Sequence, residues 1–279
     1  MVTRRSWLTA ATARLAEVGC EDAAFDARCL LEDLGGMPRG TVADDTPLTD
    51  AQATVLDNAL AQRAAGRPLQ YILGEWEFLT LTLKVGEGVL IPRPDTEVVC
   101  EAAAERLKNV SAPRVLDLCA GSGCVGLGVA SLKADATVTE VELSDAALGY
   151  LRQNVARYPA YAVTVRQADV LTDYDTLEDG YDAILSNPPY IPTADLATLQ
   201  REVQQEPRMA LDGTADGLQF YRVIAEHWCG KLSENGFCAV EVGIGQAADV
   251  AALFAAAGLA NTEILQDLGG VERVVIARK

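Results

Sequence analysis

Apolar residues recur at three- and four-residue spacing through "SWLTAATARLAEVG", "EDAAFDARCLLEDLGG" and "LTDAQATVLDNALAQRAAG", and each run closes in or near glycine. That period predicts three amphipathic helices, with Thr49 or Asp50 as the N-cap of the third. The texture then shifts to alternation in "LTLTLKVGEGVL", where Gly86 and Gly88 predict a hairpin. From Arg114 onward, short apolar strands alternate with helical stretches: "RVLDLC", "ATVTEVEL", "AVTVRQAD", "YDAILSN" and "GFCAVEVG". Strands separated by helices pair in parallel through right-handed crossovers, so an α/β, doubly wound sheet is expected. The predicted organisation is a helical domain over 1–72, a hairpin linker over 73–93 and the sheet domain over 94–279.

Composition narrows this picture. No apolar run reaches membrane-spanning length, and the opening "MVTRRSWLTAATARLAEVGC" lacks a signal-peptide pattern, so a cytoplasmic chain without a membrane partner is expected. Seven cysteines with no C-x-x-C pair imply neither a disulfide framework nor a zinc site. His227 is the only histidine, which argues against Ser-His or Cys-His catalysis and against the usual metal sites. The net charge of −17 repels phosphate backbones, so no nucleic-acid partner is expected.

"DLCAGSGCVGLGVA" follows the first strand and opens a helix, and it contains G-x-G-x-x-G at Gly121, Gly123 and Gly126. Alone, that pattern suits a dinucleotide and an oxidoreductase. Asp117, at the end of the strand, suits a cationic amino group better than a pyrophosphate. S-adenosylmethionine carries that ammonium and no phosphate. On this reading the loop Cys119, Ala120, Gly121, Ser122 and Gly123 approaches the methionine and ribose parts, and Glu142 accepts the ribose hydroxyls. Asp169 and Val170, after the third strand, lie where the adenine edge would be read, although an Asp there equally serves as a loop cap.

The strand "YDAILS" stops at "NPPYIP", which presents Asn187 and Tyr190 at a strand tip. With "GRPLQYILG", "VLIPRPDTE", "EPRMALDGTADGLQFYR", "VEVGIGQ" and "GGVERVVIARK", the chain resembles, nearly end to end, the HemK/PrmC family of peptide chain release factor glutamine N5-methyltransferases. The resemblance implies a Rossmann-like class I methyltransferase domain and a small helical domain that grips the substrate. It also implies S-adenosylmethionine as methyl donor, S-adenosylhomocysteine as product, and the glutamine of the Gly-Gly-Gln motif in class 1 release factors as acceptor. A monomer is expected.

Asn187 and the Pro188 carbonyl would then accept the two amide N–H bonds, Pro189 would stiffen the turn, and Tyr190 would pack on the amide plane. Arg93 and Glu97 correspond to a family loop near the substrate. Asn-Pro-Pro-Tyr by itself is shared with adenine and other amino-group methyltransferases, so a nucleic-acid amino methyltransferase is the alternative. Thr214 stands where the family usually has a second glycine, and Glu142 replaces the commoner aspartate.

Overall fold

Threonine opens both long helices at the start of the chain. Thr3 and Thr49 each accept the N3 backbone N–H and are answered by the N3 side chain, Ser6 and Gln52, which closes a reciprocal capping box. The computed structural model describes residues 1–279. They form two compact units, one of Met1–Glu75 with Gln200–Gln205, the other of Trp76–Leu199 with Glu206–Lys279.

The first unit is helical: α1 (Arg4–Glu17), α2 (Ala23–Asp33), α3 (Asp50–Ala64) and the short α4 (Leu69–Leu73). Trp7, Leu15, Leu30, Leu31 and Leu56 are buried in it, each contributing about 1.5–3 kcal/mol of apolar burial. Arg63 is buried with them, 2.5 Å from Asp26 and 2.8 Å from Glu202. Deleting one partner of such a buried pair costs about 3–5 kcal/mol, because the other charge is left alone.

The hairpin of β1 (Glu75–Phe78) and β2 (Leu81–Lys84) follows, all of it but Glu75 in the second unit. That unit continues through α5 (Glu97–Leu107), β3 (Arg114–Leu118), α6 (Cys124–Leu132), β4 (Thr137–Glu142), α7 (Asp145–Arg157), β5 (Ala162–Gln167) and β6 (Tyr181–Ser186). The last elements are α8 (Gln219–Val223), β7 (Leu232–Glu241), α9 (Ala247–Ala256), β8 (Ala260–Gln266) and β9 (Glu272–Arg278).

The main sheet has seven strands in the order β5-β4-β3-β6-β7-β9-β8. The five strands from β3 to β7 are parallel, in agreement with the doubly wound expectation. The edge departs from it: β9 runs antiparallel to both β7 and β8. Asp267 Oδ1 accepts from the backbone of Gly269 and Val271, which makes a turn between β8 and β9 too tight for a crossover, so the chain must reverse.

Successive strand residues face opposite layers. Val115 belongs to the core layer that holds Val99 and Leu107 of α5 and Leu127 of α6, whereas Leu116 belongs to the layer of Tyr221, Trp228 and Phe254 on the other side. The order reverses at β3, whose neighbours are β4 and β6. Leu118, the last residue of β3, pairs with Val141 and Ser186, so the chain leaves β3 and β6 side by side at this switch point. No helix of the structure is long and apolar enough to cross a membrane.

Candidate active site

A cavity of about 330 Å3 lies at the carboxyl ends of these strands. Cys119, Ala120, Gly121 and Ser122 from the glycine loop, Glu142, Leu143, Asp169, Val170, Asn187, Pro189, Arg93 and Thr96 line it. The topology therefore gathers most of the residues singled out from the sequence. Gly121 and Gly123 adopt φ of 58° and 83°, left-handed values that suit glycine, and Cys119 takes φ 61° despite its side chain. A Cβ at Gly121 would meet no protein atom within 4 Å, so the space beside it is open to a ligand.

Glu142 sits at the tip of β4 and holds the loop. Its Oε2 accepts from the Gly121 N–H at 2.8 Å and its Oε1 from the Ser144 N–H at 2.7 Å, which leaves each oxygen a lone pair for a diol. Asp169 reaches the cavity, but its Oδ1 accepts from the Leu171 N–H at 2.8 Å, the loop-capping role. Val170 lines the adjoining wall, its carbonyl held by Trp228 Nε1 at 2.9 Å. Trp228 is delivered by a π-turn, Ile224–Trp228, that continues α8.

Asp117 is placed differently from its sequence reading. Its side chain is fully buried behind the glycine loop and does not line the cavity. The strand's alternation turns it toward α6, where Oδ2 accepts from the Gly126 N–H at 2.9 Å. Beside it lies Glu140, also fully buried; a Cβ on Gly126 would meet the Glu140 carboxyl carbon at 2.7 Å, so that glycine makes room for the acid. Burial pushes the Asp117 carboxyl up to about 7 and raises Glu140 as well, each reinforced by charge on a nearby carboxylate. Two carboxyls so placed retain at least one proton between them near neutral pH and carry at most one net negative charge.

Asn187 is held by a chain of hydrogen bonds. Its Nδ2 donates to Thr96 Oγ1 at 3.1 Å, and Thr96 Oγ1 donates to Glu241 Oε2 at 2.5 Å. Tyr190 OH donates to the other Glu241 oxygen at 3.3 Å, and its backbone carbonyl accepts from Gln246 Nε2 at 3.0 Å. Burial pushes Glu241 up to about 7 against these hydroxyls and Arg273, which favour its charged form. Burial likewise raises the Tyr190 phenol. Pro188 and Tyr190 belong to the turn without lining the cavity.

Arg93 lines the cavity and is ion-paired with buried Glu206, whose Oε2 also accepts from the Ile91 N–H at 2.9 Å. Glu97 does not reach the cavity: it accepts from the Leu79 N–H at 2.8 Å, holding the β1–β2 turn where Leu79 has φ 50°. A helix-opening carboxylate is satisfied here by that N–H of the turn. Thr214 has φ 73°, a left-handed backbone on a β-branched residue, which explains why glycine suits this position.

Sequence reading missed Thr96, Glu140, Glu206 and Glu241. A signal existed for two of them, since Glu140 and Glu241 are acidic residues inside strands that otherwise read as buried.

Residues 6–74 match the model of the PrmC N-terminal domain family, and residues 69–215 match that of conserved hypothetical protein 95. Over 268 residues the chain is 42% identical to a release factor glutamine methyltransferase of Geobacter sulfurreducens, covering 95% of this chain and 92% of the relative. A release factor glutamine methyltransferase of Moorella thermoacetica is 39% identical, with 99% and 98% covered. The crystal structure of the hMettl16 catalytic domain superposes with a TM-score of 0.60 over 91% of both chains at 14% identity, a likeness of fold alone. Similarity of this extent along almost the whole length shows that the chain belongs to the release factor glutamine methyltransferase family.

Proposed function

We propose that the chain transfers a methyl group from S-adenosylmethionine to the side-chain nitrogen of the glutamine in the Gly-Gly-Gln motif of class 1 release factors. The observation that carries this reading is the polarity of Asn187. Its NH2 is engaged by Thr96, so Oδ1 is the end left to accept a hydrogen bond in the cavity.

The cavity fits the cofactor by its chemistry. A buried carboxylate with spare lone pairs at Glu142, an open glycine cradle at Gly121 and the apolar Val170 wall suit a ribose, a methionine tail and an adenine. When bound, S-adenosylmethionine supplies an electrophilic methyl on a sulfonium. The Asp117–Glu140 pair, behind the loop, contributes negative potential toward that cation without touching it.

An amide nitrogen is a weak nucleophile because its lone pair is delocalised into the carbonyl. Asn187 Oδ1 is assigned one amide N–H and the Pro188 carbonyl the other, two acceptors that favour a nitrogen becoming tetrahedral and more positive. Pro188 and Pro189 hold that carbonyl in advance, and Tyr190, set back from the cavity and tethered to Glu241, is assigned to anchoring the turn that carries it. The nitrogen loses its proton to solvent once the methyl has arrived, so no general base is required. Arg93 is assigned to substrate backbone or carboxylate near the entrance, and the helical first unit to gripping the release factor.

Mass spectrometry of an unmethylated release factor incubated with the protein and S-adenosylmethionine tests the reading. One added methyl confined to the Gly-Gly-Gln glutamine is expected. Cofactor binding without that shift, together with labelling of DNA or RNA, would replace it by a nucleic-acid amino methyltransferase.

A further inference from the structure

Asn187 has two ends of nearly equal size, so shape does not decide which of them faces a substrate amide. Only the end with oxygen can accept an N–H. Resting on the function proposed above, we infer that ionised Glu241, acting through the Thr96 hydroxyl, sets which end of the Asn187 carboxamide faces the cavity, and is therefore a positioning residue for the acceptor amide.

The orientation is decided by single protons. A carboxylate only accepts, and Glu241 takes the Thr96 hydroxyl at 2.5 Å on one oxygen and the Tyr190 hydroxyl at 3.3 Å on the other. A hydroxyl has one proton to give. Having given it to Glu241, Thr96 can offer Asn187 only a lone pair, and Asn187 answers with Nδ2 at 3.1 Å. Oδ1 is thereby left for the cavity. If Glu241 instead held a proton, it could donate to Thr96, and Thr96 could donate to Asn187 Oδ1. The carboxamide would turn over and present N–H groups to the substrate's own N–H groups, which repel.

Burial keeps this chain free of competing water. Thr96 is 0% exposed and Glu241 2%. The groups packed about Glu241 come from several elements: Asp95 and Thr96 ahead of α5, Cys124 opening α6, Tyr190 after β6 and Arg273 on β9. Tyr221 of α8 donates to the Glu241 backbone carbonyl at 2.8 Å. Arg273 does not neutralise Glu241 alone, since Asp95 at 3.2 Å and Asp267 at 3.0 Å share it. Desolvation moves the Glu241 ionisation to about 7, so the switch falls in the working range of pH.

The test compares the wild type with Thr96→Val, Thr96→Ser and Glu241→Gln in the full chain. Glutamine methylation is followed from about pH 6 to about pH 9, with cofactor affinity by calorimetry and melting in parallel. Wild-type kcat should rise with pH through the Glu241 ionisation and then level off. Thr96→Val should lower plateau kcat by about 10- to 30-fold with cofactor affinity changed by less than about twofold, and Thr96→Ser should recover most of the rate. Glu241→Gln should lower kcat and abolish the pH step.

Nitrogen-15 NMR of the Asn187 side chain, assigned with Asn187→Ala, reads the same switch without substrate. Its NH2 signals should titrate in the wild type and become insensitive to pH in Glu241→Gln and Thr96→Val. Plateau kcat of Thr96→Val within about threefold of wild type, or a pH step that survives in Glu241→Gln, would overturn the inference. If no glutamine is methylated but the Asn187 signals titrate as described, the functional reading fails and the positioning chain stands. If glutamine is methylated and those signals do not respond, the reverse holds.

Discussion

Two buried acidic centres back the two halves of the cavity, and they solve the same burial problem differently. Behind Asn187, Glu241 has a hydroxyl donor on each carboxylate oxygen. Behind the glycine loop, Asp117 Oδ2 takes the Gly126 N–H, while Asp117 Oδ1 and both Glu140 oxygens have no donor in good hydrogen-bond geometry. Asp117 and Glu241 are both pushed up to about 7 by burial. The first centre uses its charge to orient neighbours. The second persists only by holding a proton, so it supplies at most one unit of negative potential and carries a standing cost in stability.

The largest effect is expected on the Asn187 side. Asn187→Ala should cost about 2–4 kcal/mol of transition-state stabilisation, a drop in kcat of about 30- to 900-fold, with cofactor affinity nearly unchanged. Single-turnover methylation beside calorimetry checks it, and a collapse of cofactor binding with normal turnover of the remaining complex would remove Asn187 from its assigned role.

On the other side the sign is reversed, because substitution should stabilise. In Asp117→Asn, Oδ1 can still accept from Gly126 while Nδ2 donates to Glu140, so the chain should gain about 1–3 kcal/mol in denaturant unfolding. Glu140, accepting from that Nδ2, then carries alone the charge the pair had shared, so S-adenosylmethionine binding should change by less than about threefold. A variant that is less stable than wild type would contradict the shared-proton account.

Both centres give pH dependence of one sign. Asp117 moves from 3.8 to about 7 and Glu241 from 4.5 to about 7, so across that window the folded chain holds more protons than the unfolded one. Their contribution to stability is therefore full below about pH 4 and is lost as pH rises to about 7, beyond which it stays flat. Melting temperature should fall across this range, and the fall should be shallower in Asp117→Asn; an equal slope would assign the titration elsewhere.

The smallest effect concerns backbone alone. Thr214→Gly relieves a left-handed β-branched residue and should raise stability by about 0.5–1 kcal/mol, read from the denaturant midpoint. No gain would mean that the Thr214 side chain's packing offsets its strain.

Much of this was legible beforehand where a residue type has one strong local reason to be where it is. The N-cap at Thr49, the glycine loop after β3 and the strand stop at Asn187 are of that kind. Asp117 and Glu97 were misplaced for the opposite reason. A carboxylate attracts a cation or a backbone N–H equally well, and only the fold decides which is within reach; here Gly126 and Leu79 were. The antiparallel edge at β9 escaped because a tight turn between two apolar runs, Asp267 to Val271, outweighs the βα texture that precedes it.

By itself the sequence determined the periods, and with them helices, strands, their alternation and hence the crossovers that bring the ends of β3 and β6 together. It also determined the chemical kinds available at those ends, since glycine, proline and asparagine impose their backbone preferences within a few residues. The tertiary structure alone decided which acids are paired with what. Glu241 is 145 residues from Thr96, and Asn187 is 91. No local propensity links groups so far apart; packing does, by excluding water and leaving each buried donor and acceptor only the partners that the folded chain brings within about 3 Å.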